Sequence, residues 1–232
     1  MLRRRPSLIL FDLDGTLVDS APDLAAAIDR MLGALGRPAA GEARVRGWIG
    51  RGMPMLVKRA LTGEMWPEGE PEDFSRALEL YMTFYGEKLA EKSRLYPGVS
   101  DCLEQLRAMN IPMACVTNKD SRFTSRLLES LGILDYFDAL ASADQYPHPK
   151  PDPESLLDTA RRLKVLPEES LMVGDSVADA KAARAAGMML AMVPYGYHGG
   201  DGVESLLPDL IVEHLDELPR WIESASPVAL HS

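Results

Sequence analysis

The chain has 232 residues, of which 46% are hydrophobic and 26% are charged, proportions that allow a packed core and exclude a disordered tail. Its net charge of -10 argues against nucleic acid as a partner, because an acidic surface repels phosphate on average. No apolar stretch reaches the roughly 20 residues that cross a bilayer, and no small-residue cleavage site follows the first apolar run, so we expect a cytoplasmic protein that does not bind a membrane.

Short apolar runs predict strands buried on both faces, because none of the runs alternates cleanly between apolar and polar residues. The runs cover residues 7–11, 113–117, 139–141, 171–173, 189–193 and 210–212. Helical patterns separate most of the later runs, and Gly132 and Gly187 follow two of these patterns as glycine often follows a helix. The alternation predicts an α/β fold with a doubly wound parallel sheet.

Residues 20–89 interrupt this alternation. Leu24, Ile28 and Met31 recur at helical spacing, and two further apolar stripes with the same period lie in residues 56–61 and 74–85. No strand is predicted in this segment. We therefore expect residues 1–19 and 90–232 to form an α/β core, with residues 20–89 as an all-helical domain inserted after the first strand.

Two acidic residues follow the first strand directly. Asp12 and Asp14 are two positions apart, so on an extended segment their side chains point to the same side. The carboxyl end of a strand is where open α/β sheets bind ligands. A solvated turn that bends at Gly15 is the alternative.

A second acidic group, Asp175 and Asp179, follows the run at residues 171–173. On a helix these two side chains share one face, although Asp175 alone could also cap that helix. Converging carboxylates repel each other by about 4 kcal/mol per pair at 4 Å and an effective dielectric of 20. A hard divalent cation relieves this repulsion, and oxygen ligands combined with phosphate chemistry favour Mg²⁺.

Complementary groups follow two other strands. Thr117 and Asn118 end the run at residues 113–117 and offer a hydroxyl and backbone N–H donors, while Lys150 lies in a proline-rich loop that would hold its ammonium stiffly. A helix cap is the alternative for Thr117, and a solvated loop lysine is the alternative for Lys150. Together, four polar clusters stand at the ends of four predicted strands.

In this order the four segments resemble the motifs of the haloacid dehalogenase superfamily of phosphohydrolases. The motifs are DxDGTLxDS at residues 12–20, Thr117, KPDP at residues 150–153 and GDSxxD at residues 174–179, and the resemblance covers nearly the whole chain. Three further segments look like the phosphoglycolate phosphatase branch, although His198 stands where asparagine is expected. They are Trp48-Ile49-Gly50-Arg51-Gly52, Thr117-Asn118-Lys119 and Tyr195-Gly196-Tyr197 followed by Gly199.

The resemblance implies a role for each motif residue. Asp12 is implied to be the nucleophile that becomes an aspartyl phosphate, and Asp14 the acid and base. Thr117, the Asn118 backbone and Lys150 are implied to hold the phosphoryl oxygens. The implied Mg²⁺ ligands are the Asp12 side chain, the Asp14 main-chain carbonyl and Asp175, with Asp179 orienting this shell or binding the ion directly.

The implied reaction is Mg²⁺-dependent hydrolysis of a small phosphate ester, 2-phosphoglycolate, under a helical cap that excludes water. Arg51 is the candidate for reading the substrate carboxylate, and a surface arginine at a glycine turn is the alternative. Two other functions remain open. A sugar phosphomutase would use the same scaffold, and a signalling receiver also combines a phosphorylatable Asp with Mg²⁺, Thr and Lys.

Overall fold

The computed structural model describes residues 4–198 and 202–225, so Gly199 of the third branch signature lies outside the described residues. Eight strands form in this part of the chain. They are β1 (Leu8–Phe11), β2 (Val18–Asp19), β3 (Arg94–Leu95), β4 (Met113–Thr117), β5 (Ala139–Ser142), β6 (Ser170–Gly174), β7 (Met189–Met192) and β8 (Leu210–Ile211).

Six of these strands form one parallel sheet in the order β5-β4-β1-β6-β7-β8. Every predicted run coincides with a strand of this sheet, so the predicted α/β fold with a doubly wound parallel sheet is confirmed. The chain moves outward from β1 to β4 and β5, then crosses back to β6 on the other side of β1. The carboxyl ends of β4, β1 and β6 therefore lie side by side, where such sheets bind ligands.

Nine α-helices accompany the strands in the described residues. They are α1 (Ala21–Ala34), α2 (Glu42–Arg46), α3 (Gly52–Thr62), α4 (Phe74–Glu87), α5 (Val99–Ala108), α6 (Ser121–Ser130), α7 (Glu154–Arg162), α8 (Val177–Ala186) and α9 (Leu218–Glu223).

Alternate residues of the strands pack into two separate cores, one on each face of the sheet. In β1, Ile9 and Phe11 join the core that includes α5, α6 and α9, whereas Leu8 and Leu10 join the core that includes α7 and α8. All four of these side chains are completely buried. The uninterrupted apolar runs in the sequence are explained by this burial on both faces.

Helices α1 to α4 share a third hydrophobic cluster, which is centred on residues such as Ile28, Val57 and Tyr81. We call residues 20–89 the helical insert. As predicted, no strand forms between residues 20 and 89, but the short α2 was not predicted. Its five residues are too few to show an apolar stripe.

A two-stranded antiparallel ribbon joins the ends of the insert, because β2 precedes it and β3 follows it. Next to this ribbon, the buried carboxylate of Asp23 accepts hydrogen bonds from the backbone N–H groups of Lys92 and Ser93. The Ser93 hydroxyl donates a further bond of 2.6 Å to Asp23. The chain thus enters and leaves the insert at adjacent points.

The two cysteines of the chain, Cys102 and Cys115, are buried free thiols. Among the helices that the structure describes, none combines the length and apolar character needed to traverse a bilayer.

Candidate active site

The carboxyl edge of the sheet gathers the side chains that the sequence singles out. Asp12 follows β1, Thr117 ends β4 and Asp175 follows β6, and these three strands are neighbours. Lys150, from the loop between β5 and α7, reaches the same point and lies 2.9 Å from Asp12. All four residues are buried. The solvated-turn alternative for Asp12 and the solvated-loop alternative for Lys150 therefore do not describe this structure.

Three carboxylates converge at this edge. Asp12, Asp175 and Asp179 each offer an oxygen, and these oxygens lie within 4.8 Å of one another. Burial raises the pKa of Asp12 from 3.8 to about 7, with Lys150 opposing the shift and Asp179 adding to it. Burial and the charges of Asp12 and Asp179 raise the pKa of Asp175 well above its usual value. This buried, oxygen-only cluster fits a hard divalent cation, which would favour the ionised carboxylates.

Lys150 places a positive charge beside the three carboxylates. Its ammonium lies 2.9 Å from Asp12 Oδ1 and donates hydrogen bonds of 2.7 Å to Asp179 Oδ1 and to the Val116 carbonyl. Burial lowers the pKa of Lys150, but the two carboxylates raise it above the usual value for lysine. The ammonium therefore stays charged and is fully engaged with three acceptors.

Asp175 is held by two donors from different parts of the chain. The Thr16 hydroxyl donates to Oδ1 at 2.8 Å, and the backbone N–H of Tyr197 donates to Oδ2 at 2.5 Å. Glycines allow the backbone to come this close, since a Cβ at Gly15 or Gly196 would lie 2.4 Å or less from an Asp175 side-chain atom. Gly15 also has a φ of +96°, which side-chain-bearing residues rarely adopt.

The residue that caps α8 is Ser176, so the capping alternative for Asp175 does not apply. The backbone N–H and the hydroxyl of Ser176 donate to Asp179 Oδ2 at 3.0 and 2.6 Å. With Lys150 on Oδ1, both oxygens of Asp179 already have protein partners. Asp179 is therefore placed to position Lys150 and the start of α8.

Thr117 does not cap a helix either. The cap of α6 is Asp120, whose side chain accepts a hydrogen bond from the backbone N–H of Arg122. The Thr117 hydroxyl instead accepts a bond of 3.1 Å from the backbone N–H of Lys119. Its own proton remains free to be donated, since a hydroxyl both donates and accepts.

The side chain of Asn118 joins three parts of the structure. Its amide donates to the Lys150 carbonyl at 2.9 Å and to the Gly50 carbonyl at 3.2 Å, and so connects β4 to the Lys150 loop and to the helical insert. The motif implied a role for the Asn118 backbone only. A bond to residue 50 depends on how the insert folds back over the sheet, so the sequence could not predict it.

Asp14 has partners that the sequence did not predict. Lys119 donates to both of its carboxylate oxygens at 3.0 Å, and the Ser20 hydroxyl donates to Oδ1 at 2.6 Å. The Lys119 side chain is only 3% exposed. The available signal was the position of Lys119 directly after Thr117-Asn118, but the pairing with Asp14 spans 105 residues.

A small cavity lies between the sheet edge and the insert. Asp12, Asp14 and Thr117 line it from the core, and the insert contributes apolar and aromatic side chains, namely Leu24, Ile49, Met53, Leu56, Tyr81 and Tyr85. The predicted catalytic residues therefore face a partly enclosed cavity.

Arg51 is not among the residues that line this cavity. Its guanidinium lies 4.6 Å from the ring centre of Trp66, and it lines a separate cavity together with Lys181 and His198. Two glycines that flank Arg51, Gly50 and Gly52, do line the cavity that contains Asp12. The loop therefore borders the cavity that contains Asp12, whereas the Arg51 side chain lies in the other cavity.

Comparisons with known proteins agree with this geometry. Residues 6–187 match the family model for haloacid dehalogenase-like hydrolases. A phosphoglycolate phosphatase of Nitrosococcus oceani is 42% identical over 225 residues, which cover 96% of this chain and 99% of that protein. A phosphoglycolate phosphatase of Nitrosospira multiformis is 45% identical over 220 residues, covering 94% and 96%.

The fold is also similar to that of solved structures. The crystal structure of a predicted phosphoglycolate phosphatase from Haemophilus somnus 129PT has a TM-score of 0.86 and 33% identity, covering 95% of this chain and 99% of that one. The resemblance inferred from the motifs is thereby confirmed. The chain belongs to the haloacid dehalogenase-like hydrolase family.

Proposed function

We propose that this protein is a Mg²⁺-dependent phosphatase that hydrolyses 2-phosphoglycolate to glycolate and phosphate through an aspartyl phosphate. The observation that carries the proposal is the placement of Asp12, which lies at the wall of the cavity with Lys150 2.9 Å away and two further carboxylates beside it. The names of the relatives from Nitrosococcus oceani and Nitrosospira multiformis support the choice of substrate.

In the first half-reaction a carboxylate oxygen of Asp12 attacks phosphorus and the ester P–O bond breaks. The leaving oxygen takes a proton from Asp14, which lines the same cavity. In the second half-reaction Asp14 removes a proton from a water molecule. The oxygen of that water then attacks phosphorus, which releases phosphate and restores the Asp12 carboxylate.

The Thr117 hydroxyl, the Asn118 backbone N–H and the Lys150 ammonium would bind the phosphoryl oxygens. Asp12 and Asp179 keep the Lys150 ammonium charged, and on substrate binding its contact with Asp12 would be replaced by one to a phosphoryl oxygen while the bonds to Asp179 and Val116 stay. Such preorganised donors stabilise the charge that develops in the transition state. Thr117 keeps a proton to donate because its oxygen accepts from the Lys119 backbone.

The Asp12 and Asp175 side chains and the Asp14 main-chain carbonyl would hold Mg²⁺, while Asp179 would position the surrounding groups. When bound, Mg²⁺ supplies positive charge that offsets the carboxylates and polarises the phosphoryl group. The bonds from Thr16 and Tyr197 orient Asp175 for this purpose. Ser176 does the same for Asp179.

The helical insert would act as a cap that closes over the substrate and excludes water. Its aromatic and aliphatic side chains already form one wall of the cavity. Exclusion of water strengthens the electrostatic contacts and protects the phosphorylated intermediate during the first half-reaction.

The test is the release of inorganic phosphate from 2-phosphoglycolate, with and without Mg²⁺, by the wild type and by Asp12→Asn. We expect metal-dependent release by the wild type, and no turnover by Asp12→Asn although that variant stays folded. Asp101→Asn, at an exposed position of α5, is the matched control and should retain wild-type turnover. Wild-type hydrolysis by Asp12→Asn would remove Asp12 as the nucleophile.

Incubation with a sugar phosphate, and a search for phosphorylated protein, separate the two other functions that the motifs left open. A phosphomutase would convert a sugar phosphate into its isomer rather than into free phosphate. A receiver would accumulate a stable phosphoprotein without turnover. Either result would replace the hydrolase proposal.

A further inference from the structure

Two tyrosines that line the cavity have buried hydroxyls without a hydrogen-bond partner in the described part of the chain. Tyr81 and Tyr85 belong to α4 of the insert, and their side chains are 0% and 1% exposed. Their rings are stacked, with centres 5.8 Å apart and planes 5° apart. A buried hydroxyl without a partner is destabilising, so both hydroxyls are donors that a molecule bound in the cavity could satisfy.

The only cationic side chain that lines this cavity in the described residues is that of Lys119. Its ammonium lies 4.8 Å from the centre of the Tyr85 ring and 3.0 Å from both oxygens of Asp14. Burial raises the pKa of the Tyr81 hydroxyl, and the charge of Lys119 opposes this shift. Lys119 and the two tyrosines thus form one group of donors.

This group is separate from the groups that serve the phosphoryl end of the substrate. Lys150 is committed to Asp12, Asp179 and Val116, and it is not among the lining residues of the cavity. Arg51 lines the other cavity and lies against Trp66. An anionic group of the substrate that extends away from Asp12 into this cavity therefore meets Lys119 rather than Arg51.

We propose that Lys119, Tyr81 and Tyr85 bind the carboxylate of the substrate and so select phosphate esters of short carboxylic acids. The inference rests on the proposed phosphatase function and adds the residues that set its specificity. The ammonium would contribute a charge-assisted hydrogen bond and the hydroxyls would donate to the same carboxylate. A neutral group in place of the carboxylate would lack this charge-assisted pairing.

The contact between Lys119 and Asp14 gives this arrangement a second property. One ammonium lies beside both the proposed proton donor and the proposed carboxylate position. A phosphate ester that carries a carboxylate would therefore contact Lys119, which orients Asp14, whereas a phosphate ester without a carboxylate would not. The effect of Lys119 must for this reason be measured as a ratio between two substrates, because its loss also disturbs Asp14.

The experiment compares kcat/KM for 2-phosphoglycolate and for 2-hydroxyethyl phosphate, which has the same two-carbon chain but no carboxylate. We expect the wild type to prefer 2-phosphoglycolate by roughly 10- to 100-fold, the range for a hydrogen bond to a charged group. Lys119→Met should reduce this ratio at least about tenfold. Tyr81→Phe, which removes only a hydroxyl without a partner, should reduce the ratio about three- to tenfold and guards against misfolding of the lysine variant.

Lys58→Met is the matched control. Lys58 also lies over an aromatic ring, 5.1 Å from the centre of Phe74, but it is outside the cavity, so the ratio should not change. Equal losses on both esters in Lys119→Met, together with an unchanged ratio in Tyr81→Phe, would overturn the inference and leave the phosphatase function intact. A lower ratio in Arg51→Ala alone would assign the carboxylate to Arg51 and also overturn it. If the wild type releases phosphate from neither ester, the proposed function fails and the inference fails with it.

Discussion

Replacement of Lys150 by methionine tests the charge balance on which the site depends. The substitution keeps an unbranched side chain of similar length but removes an ammonium that is 2% exposed and lies 2.9 Å from Asp12 and 2.7 Å from Asp179. Two buried carboxylates would then lose their common partner. Removing one member of a buried ion pair costs about 3–5 kcal/mol, so we expect the free energy of unfolding to fall by about that amount at pH 8 without metal.

The loss should depend on pH and on Asp179. At pH 5 it should be smaller, because Asp12, whose pKa is about 7 in the metal-free protein, is then mostly protonated and needs no cation. In the double variant Lys150→Met/Asp179→Asn one negative charge is also removed. The double variant should therefore be more stable than the sum of the two single effects predicts.

Urea unfolding in EDTA, followed by circular dichroism at both pH values, measures these free energies. Lys181→Met, at an exposed position of α8, is the control and should stay within about 0.5 kcal/mol of the wild type. A loss below about 1 kcal/mol at pH 8, or additive effects in the double variant, would refute the view that Lys150 neutralises this cluster.

Three other perturbations have defined outcomes. Because the pKa of Asp12 is higher in the folded than in the unfolded protein, the free energy of unfolding of the metal-free protein should fall as the pH rises from about 4 to about 7. Mg²⁺ should raise the melting temperature more at pH 8 than at pH 5, and an equal rise at both pH values would contradict this. Gly196→Ala places a Cβ 2.3 Å from Asp175, so it should lower the free energy of unfolding by about 1–3 kcal/mol and weaken Mg²⁺ binding. Gly33→Ala, with open space around it, is the control and should not destabilise the protein. Scanning calorimetry measures the stability, and titration calorimetry measures the Mg²⁺ affinity. Thr117→Ala should remove about 1–3 kcal/mol of transition-state stabilisation, measured as a lower kcat/KM, and Thr117→Ser should restore the rate. An unchanged rate in Thr117→Ala would exclude a role in phosphoryl binding.

The sheet could be predicted from the sequence because its strands are buried on both faces. That burial produces uninterrupted apolar runs, and the polar residues that end these runs must then lie at the carboxyl edge. The gathering of Asp12, Thr117 and Asp175 follows from this topology, whereas Lys150 reaches them through the loop between β5 and α7. The two-residue ribbon strands β2 and β3 were not predicted, since they are too short to show any periodicity.

The substrate side of the site could not be predicted in the same way. The partners of Asp14 and the direction of Arg51 depend on how the helical insert and the loops pack against the sheet, and no local pattern reports that packing. Lys119 illustrates the difference. The residue stood beside a recognised motif, yet its pairing with Asp14 is visible only after the chain folds.

The antiparallel ribbon of β2 and β3 has a consequence for how such a chain can vary. The ribbon and the Asp23 bonds hold residues 18–19 next to residues 92–95. The intervening helices are therefore attached to the core at two points with a fixed separation. We expect longer or different helices to leave the distance between the two attachment points unchanged. The wall that the helices contribute to the cavity can then change without moving the residues at the sheet edge.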